Sequence, residues 1–237
     1  MKKNMVSVIL PCFNESGNII PLVEAIHSEL QINEWQHEII VVDDNSPDNT
    51  YDIVLAKQCS YVKAFLRSQE PSFAKSIRHG IEQAVGDYII VMDSDFNHQP
   101  KYLPILLENL KYYDCVVASR FIYGGKMSSK VRHLASWFFN IFVRIFTRHY
   151  ITDNLFGYFA IKRNVLEKLK FDNIFWGYGE YYIRLMYYLQ ENKTTILQIP
   201  AVLGERMYGK GNSRFIKVFV QYTKATIGLM LTGKKHV

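Results

Sequence analysis

Five short apolar runs, at residues 6–10, 38–42, 61–66, 88–92 and 115–118, are separated by stretches whose apolar residues recur at helical spacing. Runs of this kind lack the alternation of a half-exposed strand, so both faces need cover, and the helices between them supply it. The chain is therefore restricted to an α/β fold with a mostly parallel central sheet flanked by helices. Ile19, Leu22, Val23, Ile26 and Leu30 form one helical stripe, with Ser16 expected as its cap, and Phe73, Ile77, Ile81 and Ala84 form another. Beyond residue 120 the pattern is less regular. It predicts a helix over 132–146, a strand reaching Ile161, a helix around 180–189, a strand over 195–199 and a terminal helix over 214–231. No linker, repeat or low-complexity tract interrupts the 237 residues, so one domain is expected, with halves at 1–120 and 121–237.

Charge is unevenly distributed. Thirteen of the 28 Lys and Arg residues fall in two acid-free segments, between Asp114 and Asp153 and after Glu205, leaving 15 basic against 22 acidic residues elsewhere. In the first segment Arg132, Ser136, Asn140 and Arg144 trace one polar stripe on a helix otherwise rich in Trp, Phe, Ile and Val. In the second, Arg214, Lys217, Gln221 and Lys224 line a helix bearing Phe215, Ile216, Phe219 and Ile227. Wide apolar faces edged by cations suit helices lying in a membrane interface, or faces packed on a core. No uncharged apolar stretch reaches the roughly 18 residues of a spanning helix. The start of the chain has no small-residue cleavage site, so neither a signal peptide nor a transmembrane helix is expected, and membrane attachment would be peripheral. Three widely spaced cysteines, Cys12, Cys59 and Cys115, fit a reducing compartment better than a disulfide framework. The basic segments carry no recognisable nucleic-acid module, so nucleic acid is not an expected partner.

Ligands of open parallel sheets sit outside the carboxyl ends of strands, and the carboxylates cluster there. Pro11-Cys12-Phe13-Asn14-Glu15 follows the first run, Asp43-Asp44-Asn45-Ser46 the second and Asp93-Ser94-Asp95 the fourth. Two carboxylates at the mouth of a buried strand repel unless a cation joins them, and hard oxygen ligands favour Mg²⁺ or Mn²⁺. A Gly-x-Gly-x-x-Gly fingerprint and a phosphate-loop lysine are both missing, which disfavours dinucleotide dehydrogenases and P-loop NTPases.

The ordered strings VSVILPCFNES, IIVVDDNSPDNT, GDYIIVMDSDFNHQP, ASRFIYGG, RHLASWFFN, DNLFGYFAIKR and ERMYGKGNSRF resemble family 2 glycosyltransferases of the GT-A fold. Within that family they are most similar to the dolichol-phosphate mannosyltransferase-like, polyprenyl-phosphate glycosyltransferase branch, over roughly residues 5 to 215. The resemblance implies that Pro11, Asn14, Glu15, Asp43, Asp44, Asp93 and Ser94 bind a nucleotide sugar, with Asp43 and Asp44 at base and ribose. It implies that Asp93, Asp95 and Asn97 hold Mg²⁺ or Mn²⁺. Arg120, Arg132, Ser136, Asn140, Arg206, Ser213 and Arg214 would serve the acceptor and its phosphates, and Asp95, Glu180 and Arg206 would be catalytic. Asn45 and Asn49 stand where glycine is commoner, and Asn tolerates the left-handed turn.

The expected activity is metal-dependent, inverting transfer of a sugar from GDP-mannose or a UDP-hexose to a polyprenyl phosphate, on the cytoplasmic face of a membrane. Self-association is left open. A glycan hydroxyl as acceptor is the alternative, and would need Glu180 or another carboxylate as general base. A noncatalytic, membrane-associated nucleotide-sugar-binding protein is the alternative of another class.

Overall fold

The computed structural model describes residues 4–209 and 215–233, and shows one seven-stranded sheet in the order β3-β2-β1-β4-β6-β5-β7. In chain order the strands are β1 (Val6–Cys12), β2 (His37–Asp43), β3 (Val62–Leu66), β4 (Tyr88–Val91), β5 (Cys115–Ser119), β6 (Phe159–Lys162) and β7 (Ile196–Pro200). The first four are parallel neighbours and β7 runs parallel to β5, while β6 is inserted antiparallel between β4 and β5. The mostly parallel α/β expectation is met, and the reversed β6 is what the apolar runs did not reveal.

Every residue of β1 is buried, and alternate side chains enter different cores. Val8 and Leu10 join Ile19, Leu22, Ile26 and Leu30 of α1 (Ile19–Ile32) and Leu103, Leu106 and Leu107 of α4 (Leu103–Asn109). Ile9 faces the other way, against Ile77 and Ile81 of α3 (Phe73–Gln83) in a core continued by Tyr181, Tyr182 and Leu185 of α7 (Tyr181–Glu191). Each fully buried aliphatic side chain contributes about 1.5–3 kcal/mol, so the two-sided cover stabilises the central strands most. Helix α1 starts at Ile19 without a side-chain cap. Ser16, expected there, sits in the preceding turn with its N–H on Asp48. The short α2 (Thr50–Ala56) and α6 (Arg163–Leu166) complete the cover together with α5 (Lys130–Thr147) and α8 (Phe215–Gly233).

The two acid-free segments, distant in sequence, lie side by side: α5 packs on α8, with the Phe139 and Phe219 rings 5.3 Å apart. Their outer faces stay open, with Val131, Phe138, Ile145, Ile216, Phe219 and Leu231 each more than half exposed. No helix among the described residues is long and apolar enough to cross a membrane.

Behind α5, the turn at Asp153 is fastened from two directions. Arg120 at the end of β5 forms a fork on Asp153, Nε to Oδ2 at 2.7 Å and Nη2 to Oδ1 at 2.9 Å, and its backbone N–H adds a third bond. Asn140 of α5 accepts the Asn154 N–H at 2.7 Å. Both partners of the ion pair are buried, so replacing Asp153 by Ala leaves an uncompensated guanidinium inside the protein. Asp153→Ala is expected to cost about 3–5 kcal/mol in urea unfolding.

His149 follows α5, its ring stacked at 5.3 Å on Tyr187, with both ring nitrogens buried and unpartnered. Burial lowers its pKa to about 4. Between that value and about 6.5 the unfolded chain binds the proton that the folded one refuses, so stability falls as pH falls through this window. His149→Phe removes that proton uptake. Its stability relative to wild type should therefore improve by about 2 kcal/mol between pH 7.5 and pH 5, read from denaturation midpoints at the two pH values.

Candidate active site

Crossovers diverge at β1, with β2 on one side and β4 on the other, and the crevice at such a point is where these sheets take ligands. The loop leaving β1 is tied to the loop leaving β2 by three backbone donors. Asn14 N–H reaches Ser46 Oγ at 2.9 Å, Glu15 N–H reaches Thr50 Oγ1 at 3.0 Å, and Ser16 N–H reaches Asp48 Oδ2 at 2.9 Å. Asn14, Asn45 and Asn49 adopt φ of 60°, 60° and 63°, as anticipated for asparagines at 45 and 49. Sequence reasoning placed Ser46 in the strand-end cluster without a role and missed Asp48 and Thr50. Their signal is the Asp/Asn/Ser-rich string DNSPDNT, whose short side chains bond nearby backbone.

The acids of the second loop carry that structure. Asp43 accepts the Ser46 N–H at 2.8 Å and the Ser46 hydroxyl at 2.5 Å. Asp44 accepts from the Arg67 guanidinium and from the Ser72 N–H. Burial raises the pKa of Asp44, and the Arg67 charge opposes it. Both acids lie at the crevice as expected, and both are also the posts on which the loop is built.

At the end of β4 the backbone is pinned from below. Asp93 N–H donates to His98 Nδ1 at 2.8 Å, and the His98 Nε2–H donates to the Phe156 carbonyl at 2.8 Å. The buried ring stacks on Tyr158 at 4.8 Å and 8°. Burial lowers its pKa to about 3, so it is neutral, with one ring nitrogen accepting and the other donating. The local sequence offered no periodic or spacing signal for His98. Ser94 donates its hydroxyl to the Pro11 carbonyl at 2.9 Å, joining two residues expected at the donor to each other and the end of β4 to β1.

Asp95 receives the Asn97 backbone N–H at 3.0 Å and side-chain N–H at 2.7 Å. Asn97, expected as a metal ligand, turns its donors on Asp95 and orients it, which leaves its side-chain oxygen outside these bonds. Arg206 arrives on the loop after β7, which is laid along residues 97–99 by Gly204 N–H to the Asn97 carbonyl at 2.8 Å and Gln99 Nε2 to the Val202 carbonyl at 2.9 Å. Its guanidinium donates to Asp95 Oδ2 at 2.6 Å and to Glu15 Oε1 at 3.2 Å. Asn18, a residue not singled out from sequence, fastens the arrangement by donating to Glu15 Oε2 at 2.6 Å and to the Tyr208 carbonyl at 3.1 Å.

Three carboxylates thus converge around one arginine. Burial, aided by repulsion from Asp95, raises the Glu15 pKa to about 7 against the pull of Asn18 and Arg206. Crowding by protein atoms, then repulsion from Asp95 and Glu15, holds Asp93 well above the usual carboxylate range although 36% of its side chain reaches solvent. This excess of negative charge and hard oxygen fits a divalent cation. Among the described residues no three His, Cys, Asp or Glu side chains are gathered to hold a metal.

The acceptor-side expectations divide. Arg206 reaches the centre. Asn140 does not present itself to a ligand, because Asn154 takes its amide oxygen and the Ser136 carbonyl its amide nitrogen; it is corrected from phosphate holder to buried fastener, whereas Arg120, forked on Asp153 through Nε and Nη2, also acts by its charge on Asp93. Ser136 contributes its carbonyl to Asn140, and Arg132 is exposed near the start of α5. Ser213 and Arg214 lie outside the described residues. Glu180 is buried at the start of α7, where its Oε2 accepts the Tyr178 N–H at 3.1 Å. It bonds none of Asp93, Asp95 or Arg206 and is turned back on its own loop.

The chain is 30% identical over 231 residues to a dolichol-phosphate mannosyltransferase of Pyrococcus furiosus, an alignment covering 95% of this chain and 63% of that protein. It is 28% identical to an undecaprenyl-phosphate mannosyltransferase of Micrococcus luteus, covering 86% of each. Among solved structures, glucosyl-3-phosphoglycerate synthase from Mycobacterium tuberculosis, in complex with Mn²⁺, UDP and phosphoglyceric acid, superposes with a TM-score of 0.71 at 20% identity, over 97% of this chain and 78% of that one. That likeness shows a shared GT-A fold. The model of the family described as "Glycosyl transferase family 2" matches residues 7–170, the stretch that supplies Glu15, Asp93 and Asp95, and the chain belongs to that family as a glycosyltransferase.

Proposed function

We propose that this protein transfers a hexose from a nucleotide diphosphate sugar to a polyprenyl phosphate at a membrane surface, with inversion at the anomeric carbon. The observation that carries the reading is the gathering of Glu15, Asp93 and Asp95, two of them bridged by Arg206, in a chain with two helices that expose apolar, cation-edged faces. The named activities of the Pyrococcus and Micrococcus relatives support it and make mannose the first sugar to test. Residues 1–120 would hold the donor and 121–237 the acceptor.

The donor diphosphate would enter where Asp93 and Asp95 face the crevice. Mg²⁺ or Mn²⁺ held there by the two aspartates, when bound, supplies positive charge to the diphosphate leaving group. Arg206 is already poised on Asp95 and Glu15, and its planar fork matches phosphate oxygens once they compete for it. A phosphate monoester has its second pKa near 6 and is anionic at neutral pH. Its oxygen can attack the anomeric carbon as the bond to the diphosphate breaks, with no proton to remove. Glu180, folded onto its own backbone and touching none of the central carboxylates, is then an organiser of the acceptor side rather than a base. That geometry favours the phosphate acceptor over a glycan hydroxyl.

The occupant proposed for the open α5–α8 face is a lipid surface. Arg132, Arg144, Lys217 and Lys224 are exposed around its apolar residues, the arrangement that anionic headgroups and acyl chains satisfy together. Such docking would be peripheral, on the cytoplasmic side.

The test is transfer of radiolabel from GDP- and UDP-sugars into the organic phase, with polyprenyl phosphate in vesicles and Mg²⁺ or Mn²⁺. Label that requires metal and is abolished in Asp95→Asn is expected; a donor that binds without ever labelling lipid would overturn the reading. Arg206→Ala should lower kcat about a hundredfold or more, the scale of losing one charge-stabilising group. Glu180→Gln should cost less than about tenfold, and a near-total loss there would instead favour a hydroxyl acceptor.

A further inference from the structure

The tetrapeptide Gly177-Tyr178-Gly179-Glu180 uses its two glycines for different reasons. Gly177 has φ of +78°, a left-handed conformation that favours glycine, and a Cβ there would lie 2.0 Å from Glu180 Oε1. The Glu180 carboxylate is thus folded tightly against its own turn. Gly179 is outside the left-handed region and is glycine for room. A Cβ on it would fall 1.8 Å from the hydroxyl oxygen of Tyr222, a side chain brought from α8.

On α8, Tyr222 shares the inner face with Thr226 and Leu229, which are 0% and 5% exposed. At about 100° per residue, Val220, Ile227 and Leu231 lie on the opposite side, and all three are exposed. One rigid helix therefore turns an apolar face outward and presses a phenol inward on the Glu180 turn. The turn is also fastened at its far side, where the Ser72 hydroxyl donates to the Gly177 carbonyl at 2.8 Å, and Ser72 in turn donates its N–H to Asp44. Tyr222 completes a chain of contacts from the helix surface to the second-loop acids. Burial first, then the charges of Tyr178, Glu180 and Asp93, push the Tyr222 phenol up, while Arg120 opposes the shift.

We propose that Tyr222 is a positioning residue through which α8 sets the Gly177–Glu180 turn, so that seating of the helix on a lipid surface and ordering of the acceptor side are one event. This rests on the lipid-phosphate reading. Without a surface, α8 has an uncovered outer face and can shift; once seated, its phenol holds the turn, and with it Glu180, in place.

The experiment follows backbone hydrogen exchange over residues 174–181 in the full chain, with and without vesicles of anionic phospholipid containing polyprenyl phosphate, alongside transfer kinetics. In wild type, vesicle binding should slow exchange at the turn several-fold. Tyr222→Ala should sediment with vesicles equally well yet lose that slowing, with kcat down at least tenfold and the donor KM within twofold. Gly179→Ala should reproduce the defect, and adding Tyr222→Phe, which removes the obstructing oxygen, should restore kcat. The Gly179→Ala and Tyr222→Phe pair carries the test if Tyr222→Ala does not fold. Equal slowing in wild type and Tyr222→Ala, no slowing in vesicle-bound wild type, or unchanged kcat overturns the proposal alone. Failure of wild type to bind vesicles overturns the lipid reading and the proposal with it.

Discussion

Like charges gathered in a crevice of low dielectric repel, and the site is arranged around that repulsion. Parallel strands deliver Glu15, Asp93 and Asp95 to one edge of the sheet because β1 and β4 are parallel neighbours whose carboxyl ends point the same way. Unopposed, three carboxylates so placed would favour protonation or spreading apart. Arg206 opposes them by bridging two of the three, and it must come from elsewhere in the chain to do so. The loop after β7 is consequently laid across the mouth of the crevice, and the position of that loop follows from the charge it has to neutralise. The same electrostatic need makes the crevice fit for a cation.

Around this centre, polar side chains spend themselves on holding backbone. Asp43 and Asp48 shape the second loop, Ser46 and Thr50 carry it to the first, and His98 secures Asp93. Such bonds are each modest in net terms but costly to leave unmade when buried. The result is a set of loops at the crevice held by many polar bonds. The α5 and α8 region is different, since the outer apolar faces of both helices are exposed; on the proposed function the first is the donor side and the second the acceptor side.

Much of the fold was legible because strands buried on both faces leave an unambiguous apolar signature, and because helix stripes at 19–30 and 73–84 alternate with them. The carboxylate clusters were legible for the same reason, since a polar triplet that ends an apolar run falls at the ligand-binding edge of such a sheet. Asn140 shows the limit. An amide side chain at the right motif position looks the same in sequence whether it meets a ligand or a buried partner, and here Asn154 and Ser136 claim it.

The alternation of strands and helices, the edge at which the acids collect and the amphipathic character of α5 and α8 can all be read along the chain, because each depends on periodicity or on residues within one turn of each other. Three-dimensional packing alone makes β6 run backwards between β4 and β5, brings Arg206 to Asp95 across 111 residues and to Glu15 across 191, and rests Tyr222 on Gly179. Those outcomes depend on how separate elements pack in three dimensions, through shape and charge complementarity, which no local pattern encodes.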